Sequence, residues 1–289
     1  LTLRAVPQRL DAEGRPVVED GAPVYENPRL FLRRLDTQLR YDAVRTFDLF
    51  GNRYVLGASS SDFINAIWDT LVFTVSSVAL ETLLGLIIAL TLARKFVGRG
   101  IMRAAMLVPW AIITVVSARI WEWMLQSTRA GFFNTFLTDL GLIERPIAFF
   151  QTASLQVPAM VMIDVWKTTP FMALLLLAGL AVIPAELYEA AEVDGAGPIR
   201  RFFQITLPLL APTLAVALIF RTLDALRVFD LFQVVYGESR YSMASYAYYQ
   251  LIAARNVGMS AAASVVIFIV IFVFAILYIR ALGVERDGD

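Results

Sequence analysis

The sequence predicts an all-α polytopic membrane protein, and three observations carry that prediction. The chain is 58% hydrophobic with a mean hydropathy of +0.65, above the ~45–50% apolar usage of soluble domains. Five apolar runs are each long enough to cross a bilayer, which takes about 20 residues. Basic residues outside those runs fall unevenly on the two sides of the membrane they imply. In hydrocarbon every backbone polar group must be satisfied within the chain, so apolar runs of this length are helices.

Residues 1–65 come first and are polar, with nine arginines (Arg4, Arg9, Arg15, Arg29, Arg33, Arg34, Arg40, Arg45, Arg53) and a matching set of acids. Within them Asp11-Ala12-Glu13-Gly14-Arg15-Pro16 reads as a hairpin turn between extended stretches. A transmembrane region then occupies 66–282. Its spans are expected at about Ala66–Ala93, Ala104–Leu125, Ser154–Ile183, Ile205–Phe229 and Gly258–Leu282. Pro109 and Pro170 interrupt the second and third, and Thr168-Thr169-Pro170 marks a kink. Trp121 and Trp123, beside Glu122, fit an interfacial aromatic belt. Residues 283–289 form a short tail.

Orientation follows from the loops. Arg94, Lys95, Arg99, Arg103, Arg200, Arg201, Arg280 and Arg286 lie on one side, against Arg129, Arg145, Arg240 and Arg255 on the other. Eight against four puts the 184–206 loop and the C-terminus in the cytoplasm. Residues 1–65 are then extracytoplasmic. The simplest way to carry them across is an upstream span, giving six in the intact protein.

The polar insert 184–206 is the most informative stretch. Pro184 suits a first helical turn. Glu186, Glu189 and Ala190 extend a good helix former with acids near the positive end of its dipole. Asp194-Gly195 is a turn pair that stops the helix. Ala190, Ala191 and Ala196 keep it thin enough for another protein to approach closely.

The order Glu189-Ala190-Ala191, Gly195, then Ile205, Leu207 and Pro208 resembles the EAA signature of permease subunits of binding-protein-dependent ABC importers. Further similarity runs through Asp62–Arg280: Arg99-Gly100 with Pro109-Trp110, Gly131-Phe132-Phe133-Asn134, Trp166 with Pro170-Phe171, and Leu177-Ala178-Gly179-Leu180. Together these are most similar to the carbohydrate-uptake branch, the maltose and trehalose permease type. The resemblance implies a cytoplasmic coupling helix that meets an ATPase through Glu189, Ala190, Ala191, Asp194 and Gly195. It implies as partners a second permease subunit, two ATP-binding cassette ATPase subunits, an extracytoplasmic solute-binding protein, a sugar and the lipid bilayer. The expected place is a bacterial or archaeal cytoplasmic membrane. Another polar solute, such as a glycerol phosphate, is the alternative cargo.

Ionisable groups at membrane depth are costly and mark cavities or pairs. Asp164, Lys167, Thr168 and Phe171 share one face of the third span, and Arg221, Asp224 and Arg227 one face of the fourth. The resemblance places sugar contacts at Asp164, Lys167, Thr168, Phe171, Asp224 and Arg227. The competing reading makes Arg221, Asp224 and Arg227 a structural ion-pair ladder. Glu81 is expected to pair with Arg119 or to meet another subunit. Tyr241, Tyr246, Tyr248 and Tyr249 in an outer loop either pack that loop or receive a binding protein or a sugar face.

Several classes are excluded. With no Cys and no His there is no disulfide scaffold, thiol nucleophile, His-based metal site or Ser-His-Asp triad. A net charge of +0 gives no global bias toward nucleic acid. Neither Lys95 nor Lys167 follows a phosphate-binding loop pattern, so ATP hydrolysis is expected on a separate chain, and no metal or cofactor is expected here. An ion-coupled carrier is the remaining rival, but its internal repeats are not found.

Overall fold

The computed structural model describes residues 2–11, 15–19, 22–35, 42–49, 51–58 and 60–281. It divides into two compact units, Leu1–Trp68 and Asp69–Asp289.

The first unit is small and mixed. Strands β1 (Thr2–Ala5), β4 (Asp42–Leu49) and β5 (Asn52–Ala58) form an antiparallel sheet in the order β1-β5-β4, and β2 (Val18–Glu19) pairs with β3 (Ala22–Pro23). Helix α1 (Pro28–Leu35) contributes Leu32 to a core shared with Val6 and Val55. Arg53 holds Asp48 through two hydrogen bonds and lies 4.9 Å over the Tyr25 ring. The turn expected at 11–16 is flanked by an antiparallel Leu10–Pro16 bridge, while Ala12, Glu13 and Gly14 lie outside the described residues, as does the 283–289 tail.

The second unit is a helical bundle. Among the described residues four helices are long and apolar enough to cross a membrane, and a bent pair counts as a fifth when taken as one span. They are α2 (Ser61–Ala93), the pair α3 (Arg99–Ala111) and α4 (Thr114–Met124), α6 (Ala153–Val182), the run 198–235 built around α9 (Leu207–Leu226), and α12 (Val257–Ala281). Shorter helices cover the ends: α5 (Phe132–Asp139), α7 (Ala185–Val193), α8 (Pro198–Arg201), α10 (Asp230–Val235) and α11 (Met243–Ile252).

Helix α6 is the central element, packed against α3, α4 and α9. Ala89, Leu92, Met172, Leu176, Leu210 and Ala217 build one core cluster around it, and Phe73, Met160, Ile163, Leu231 and Phe232 belong to another. Without a strong hydrophobic drive between helices in lipid, small residues let backbones approach. Gly179 shows this at the α6–α9 crossing, where an added Cβ would sit 2.7 Å from Thr213 and 2.8 Å from Leu210.

Three features differ from the sequence expectation. The second span is broken, bent by 92° at Ile112–Ile113, while Pro109 and Pro170 lie inside helices. The break falls where Ile112, Ile113, Thr114, Val115 and Val116 place five β-branched side chains in succession, which disfavours helix. Within the fourth span helix α9 ends at Leu226 rather than Phe229, and Ser242 Oγ donates to the Val228 carbonyl just beyond it at 2.6 Å. It is entered through a π-helical turn, Phe202–Thr206. The tyrosine-rich outer loop is largely helix α11. Ser242 and Ser245 cap it reciprocally, and Ser260 Oγ of α12 donates to Ala247 O at 2.8 Å.

Candidate functional site

Two sets of residues stand apart from ordinary packing, one in the 184–206 loop and one at membrane depth. Helix α7 is capped by Pro184, which sits just before the first turn rather than inside it. None of its residues is buried, and Val193, Ile199 and Phe203 around it are 89%, 75% and 60% exposed. The helix ends in a Schellman arrangement. Ala196 N–H reaches Ala191 O at 2.8 Å and Gly195 N–H reaches Glu192 O at 3.0 Å, with Gly195 at φ +74°. That left-handed conformation is why a glycine stands there. Side chains also tie the loop down: Arg201 Nη1 donates to Glu192 Oε2 at 3.0 Å, Arg200 Nε donates to Gln204 Oε1 at 2.9 Å, and the Tyr188 and Thr206 hydroxyls meet at 2.9 Å. Glu189, Ala190, Asp194 and Gly195 are exposed and Ala191 is half-buried. The arrangement presents a thin, exposed helix with an apolar fringe.

The second set centres on Arg221 of α9, which is 2% exposed. Its Nε donates to Glu81 Oε2 at 2.5 Å and its Nη2 to Glu81 Oε1 at 3.0 Å. Nη2 also reaches Asp164 of α6, and Nη1 reaches Asp224 Oδ2 at 3.1 Å. Thr168 Oγ1 contacts Glu81 Oε1 at 2.5 Å and the Asp164 carbonyl at 2.6 Å. One guanidinium thus joins α2, α6 and α9. It lies about 21 Å along α9 from Leu207, at 1.5 Å rise per residue. Burial of a charge is tolerated only when pairing and hydrogen bonds replace its hydration, and this cluster supplies both. Its polar edge is Asp224, whose side chain is 67% exposed.

The structure therefore brings Asp164, Thr168 and Asp224 together, around Glu81 and Arg221. Lys167 is half-buried and Arg227, the C-terminal cap of α9, is exposed. Phe171 stacks on Trp110 of α3, with ring centroids 5.8 Å apart and planes within 10°. Of the two expectations for Glu81, a pair with Arg119 or a contact to another subunit, the first is not met: Arg119 binds Glu122 at 2.6 Å on its own helix and Glu81 pairs with Arg221. Trp121 is buried rather than interfacial, stacked on Phe133 and edge-on to Trp166.

A second arginine node lies at the N-terminal end of α6. Arg240 donates to both oxygens of Asp69 at 2.6 Å, to Gln156 Oε1 and to Ala153 O at 3.4 Å. Tyr241 and Tyr246 are buried, with rings 5.7 Å apart, and Tyr248 meets Phe229 edge-on.

With this geometry in hand, likeness to known proteins is informative. The family model for the binding-protein-dependent transport system inner membrane component matches residues 81–283. The trehalose/maltose transport system permease protein MalF of Thermococcus litoralis is 44% identical over 240 residues, spanning 81% of this chain and 79% of its own length. The trehalose transport system permease protein SugA of Mycobacterium tuberculosis (strain H37Rv) is 40% identical over 224 residues, covering 76% of this chain and 70% of its own. Among solved structures, a bacterial ABC transporter involved in the import of the acidic polysaccharide alginate superposes with a TM-score of 0.71. It is 26% identical and covers 80% of this chain and 81% of the other.

Proposed function

The chain belongs to the family of binding-protein-dependent transport system inner membrane components, and from that premise we propose that it forms half of the translocation pathway for a sugar, a di- or oligosaccharide. It is a membrane-spanning transport subunit rather than an enzyme, and ATP is hydrolysed on a separate chain. Its partners are a second permease subunit, two ATPase subunits and an extracytoplasmic solute-binding protein. The C-terminus and the α7–α8 loop face the cytoplasm.

The observation that carries the reading is the exposed α7 helix with its left-handed stop at Gly195. It leaves the membrane between two apolar helices, makes few contacts of its own, and offers an ATPase a rigid handle. Glu189, Ala190, Ala191, Asp194 and Gly195 form that handle. Movement of α7 acts on α6 and α9, the two helices it joins, and these carry Asp164, Lys167, Thr168, Phe171, Asp224 and Arg227. We assign those residues to the pathway, with Asp224 at its polar edge. The sugar assignment draws on the trehalose and maltose relatives; a glycerol phosphate is the second reading.

The test is reconstitution of the chain with its permease, ATPase and binding-protein partners. Stimulation of ATP hydrolysis by the binding protein loaded with a gluco-disaccharide is expected. Stimulation by a phosphorylated polyol and by no sugar would transfer the cargo to the second reading. Failure of any ATPase to co-purify would remove the coupling role itself.

A further inference from the structure

The segment 94–103, Arg94-Lys95-Phe96-Val97-Gly98-Arg99-Gly100-Ile101-Met102-Arg103, carries four cations in ten residues. No acidic residue occurs between Glu81 and Glu122. Three other loop arginines are engaged: Arg201 with Glu192, Arg200 with Gln204, Arg240 with Asp69. Among the described residues none of Arg94, Lys95, Arg99 and Arg103 makes an ion pair; Arg103 reaches only the Leu92 carbonyl, at 3.4 Å. Apolar side chains stand exposed between them: Phe96 at 41%, Val97 at 102% and Ile101 at 78%. The segment directly follows the 33-residue helix α2 and opens α3, so its place is the boundary between hydrocarbon and water.

We propose that residues 94–103 form a binding surface for the headgroups of anionic phospholipids. Cations clustered at the end of a transmembrane helix are drawn to the negative surface of the cytoplasmic leaflet. Exposed Phe96, Val97 and Ile101 enter the boundary between headgroups and acyl chains, as on interfacial amphipathic helices. Charge complementarity selects the occupant: an unpaired cationic strip with an apolar fringe matches a phosphodiester that carries its own acyl chains, and a free anion leaves the fringe in water. The surface is distinct from the α7 handle and from the Arg221 cluster, and does not depend on which solute is carried.

The chain has no Cys, so Val97→Cys can carry a single environment-sensitive fluorophore in the full chain. In nanodiscs, a blue shift is expected when phosphatidylglycerol is mixed into phosphatidylcholine. Neutralising three cations together (Arg94→Gln, Lys95→Gln, Arg99→Gln) weakens the preference for the anionic lipid about fivefold per charge, roughly a hundredfold in all. Arg94→Lys with Arg99→Lys keeps the response, because the attraction is to charge. Inorganic phosphate added to phosphatidylcholine discs leaves the emission unchanged. Equal emission in the two lipids, an undiminished response in the neutral variant, loss of response in the lysine variant, or a shift produced by phosphate alone would each overturn the proposal.

Discussion

Arg221 of α9 grips Glu81 of α2 with two donors, across 140 residues of chain, and neither side chain has access to water, at 3% and 0% exposure. Asp164 of α6 shares the same guanidinium. Three spans are therefore joined by one side chain. Arg221, Glu81 and Asp164 act as a unit: together they are paired, and without Arg221 two buried carboxylates are left with no cation.

Removing one member should show this. Arg221→Met leaves Glu81 and Asp164 facing each other unpaired, and breaking one side of a buried pair typically costs about 3–5 kcal/mol. The expected outcome is loss of assembled protein and a lowered unfolding temperature. Glu81→Gln alone should cost less, because the amide oxygen still accepts from Arg221 while one amide donor is stranded. Arg221→Met combined with Glu81→Gln should cost less than the sum of the two, and strict additivity in that double-mutant cycle would deny the coupling.

Gly195 gives the sharpest test of the handle. Its φ of +74° disfavours any side chain, yet nothing lies within 4 Å of an added Cβ. Gly195→Ala thus costs only backbone strain, about 1–2 kcal/mol, confined to the end of an exposed helix. Insertion and thermal stability should be retained, and the helix stop should shift. Binding-protein-stimulated ATPase activity of the assembled complex should fall, with a larger fall for Gly195→Asp. An unchanged stimulated rate would remove α7 from the coupling path.

Apolar length is what a bilayer demands, so the spans were legible in the run of residues, as was the stop at Asp194-Gly195, which is local turn chemistry. The bend at Ile112–Ile113 was not, because hydropathy counts a β-branched run as favourable membrane sequence while helix geometry resists it. Helix α11 is not legible as one: ten residues rich in tyrosine and alanine have little amphipathic period, and its cap, Ser242 with Ser245, is not the usual Ser-x-x-Glu pattern. At the membrane-depth cluster, spacing showed that Asp224 lies one turn from Arg221. It did not show that Glu81 faces Arg221, because which faces of α2 and α9 meet is decided by tertiary packing. Arg119 is met by Glu122, three residues on along its own helix, which leaves Glu81 to Arg221.

Arg240 should behave as a node of a different kind. Its pair with Asp69 is bidentate but partly wet, with side chains 22% and 10% exposed, so its removal should cost less than that of Arg221, about 1–2 kcal/mol. Arg240→Lys keeps the charge and loses the planar fork, and should recover only part of the loss. The check is hydrogen exchange: faster exchange of amides 236–246 in Arg240→Ala, with Arg240→Lys intermediate. Unchanged exchange in both would show that Asp69 does not hold this segment.

Asp224 is the member of the cluster whose removal separates structure from pathway. Its carboxylate meets Arg221 Nη1 at 3.1 Å, but its side chain is 67% exposed, against 14% for Asp164. With Asp224 in solvent, an ion pair one helical turn apart contributes little, ~0.2–0.5 kcal/mol. Arg221 also keeps Glu81 and Asp164 when Asp224 loses its charge, so no buried cation is stranded. Asp224→Asn should therefore assemble and keep its basal ATPase activity. The amide retains one accepting oxygen and adds two donors, which changes how the site meets a sugar hydroxyl without changing its shape. Altered substrate affinity or transport rate at unchanged stability is the expected outcome, measured as uptake by the reconstituted complex. Asp164→Asn is the contrast: it sits inside the cluster, so a loss of stability is expected there. If Asp224→Asn transports at the native rate and affinity, the exposed edge of the cluster has no part in the pathway, and the search for sugar contacts moves to Lys167 and the Trp110–Phe171 stack.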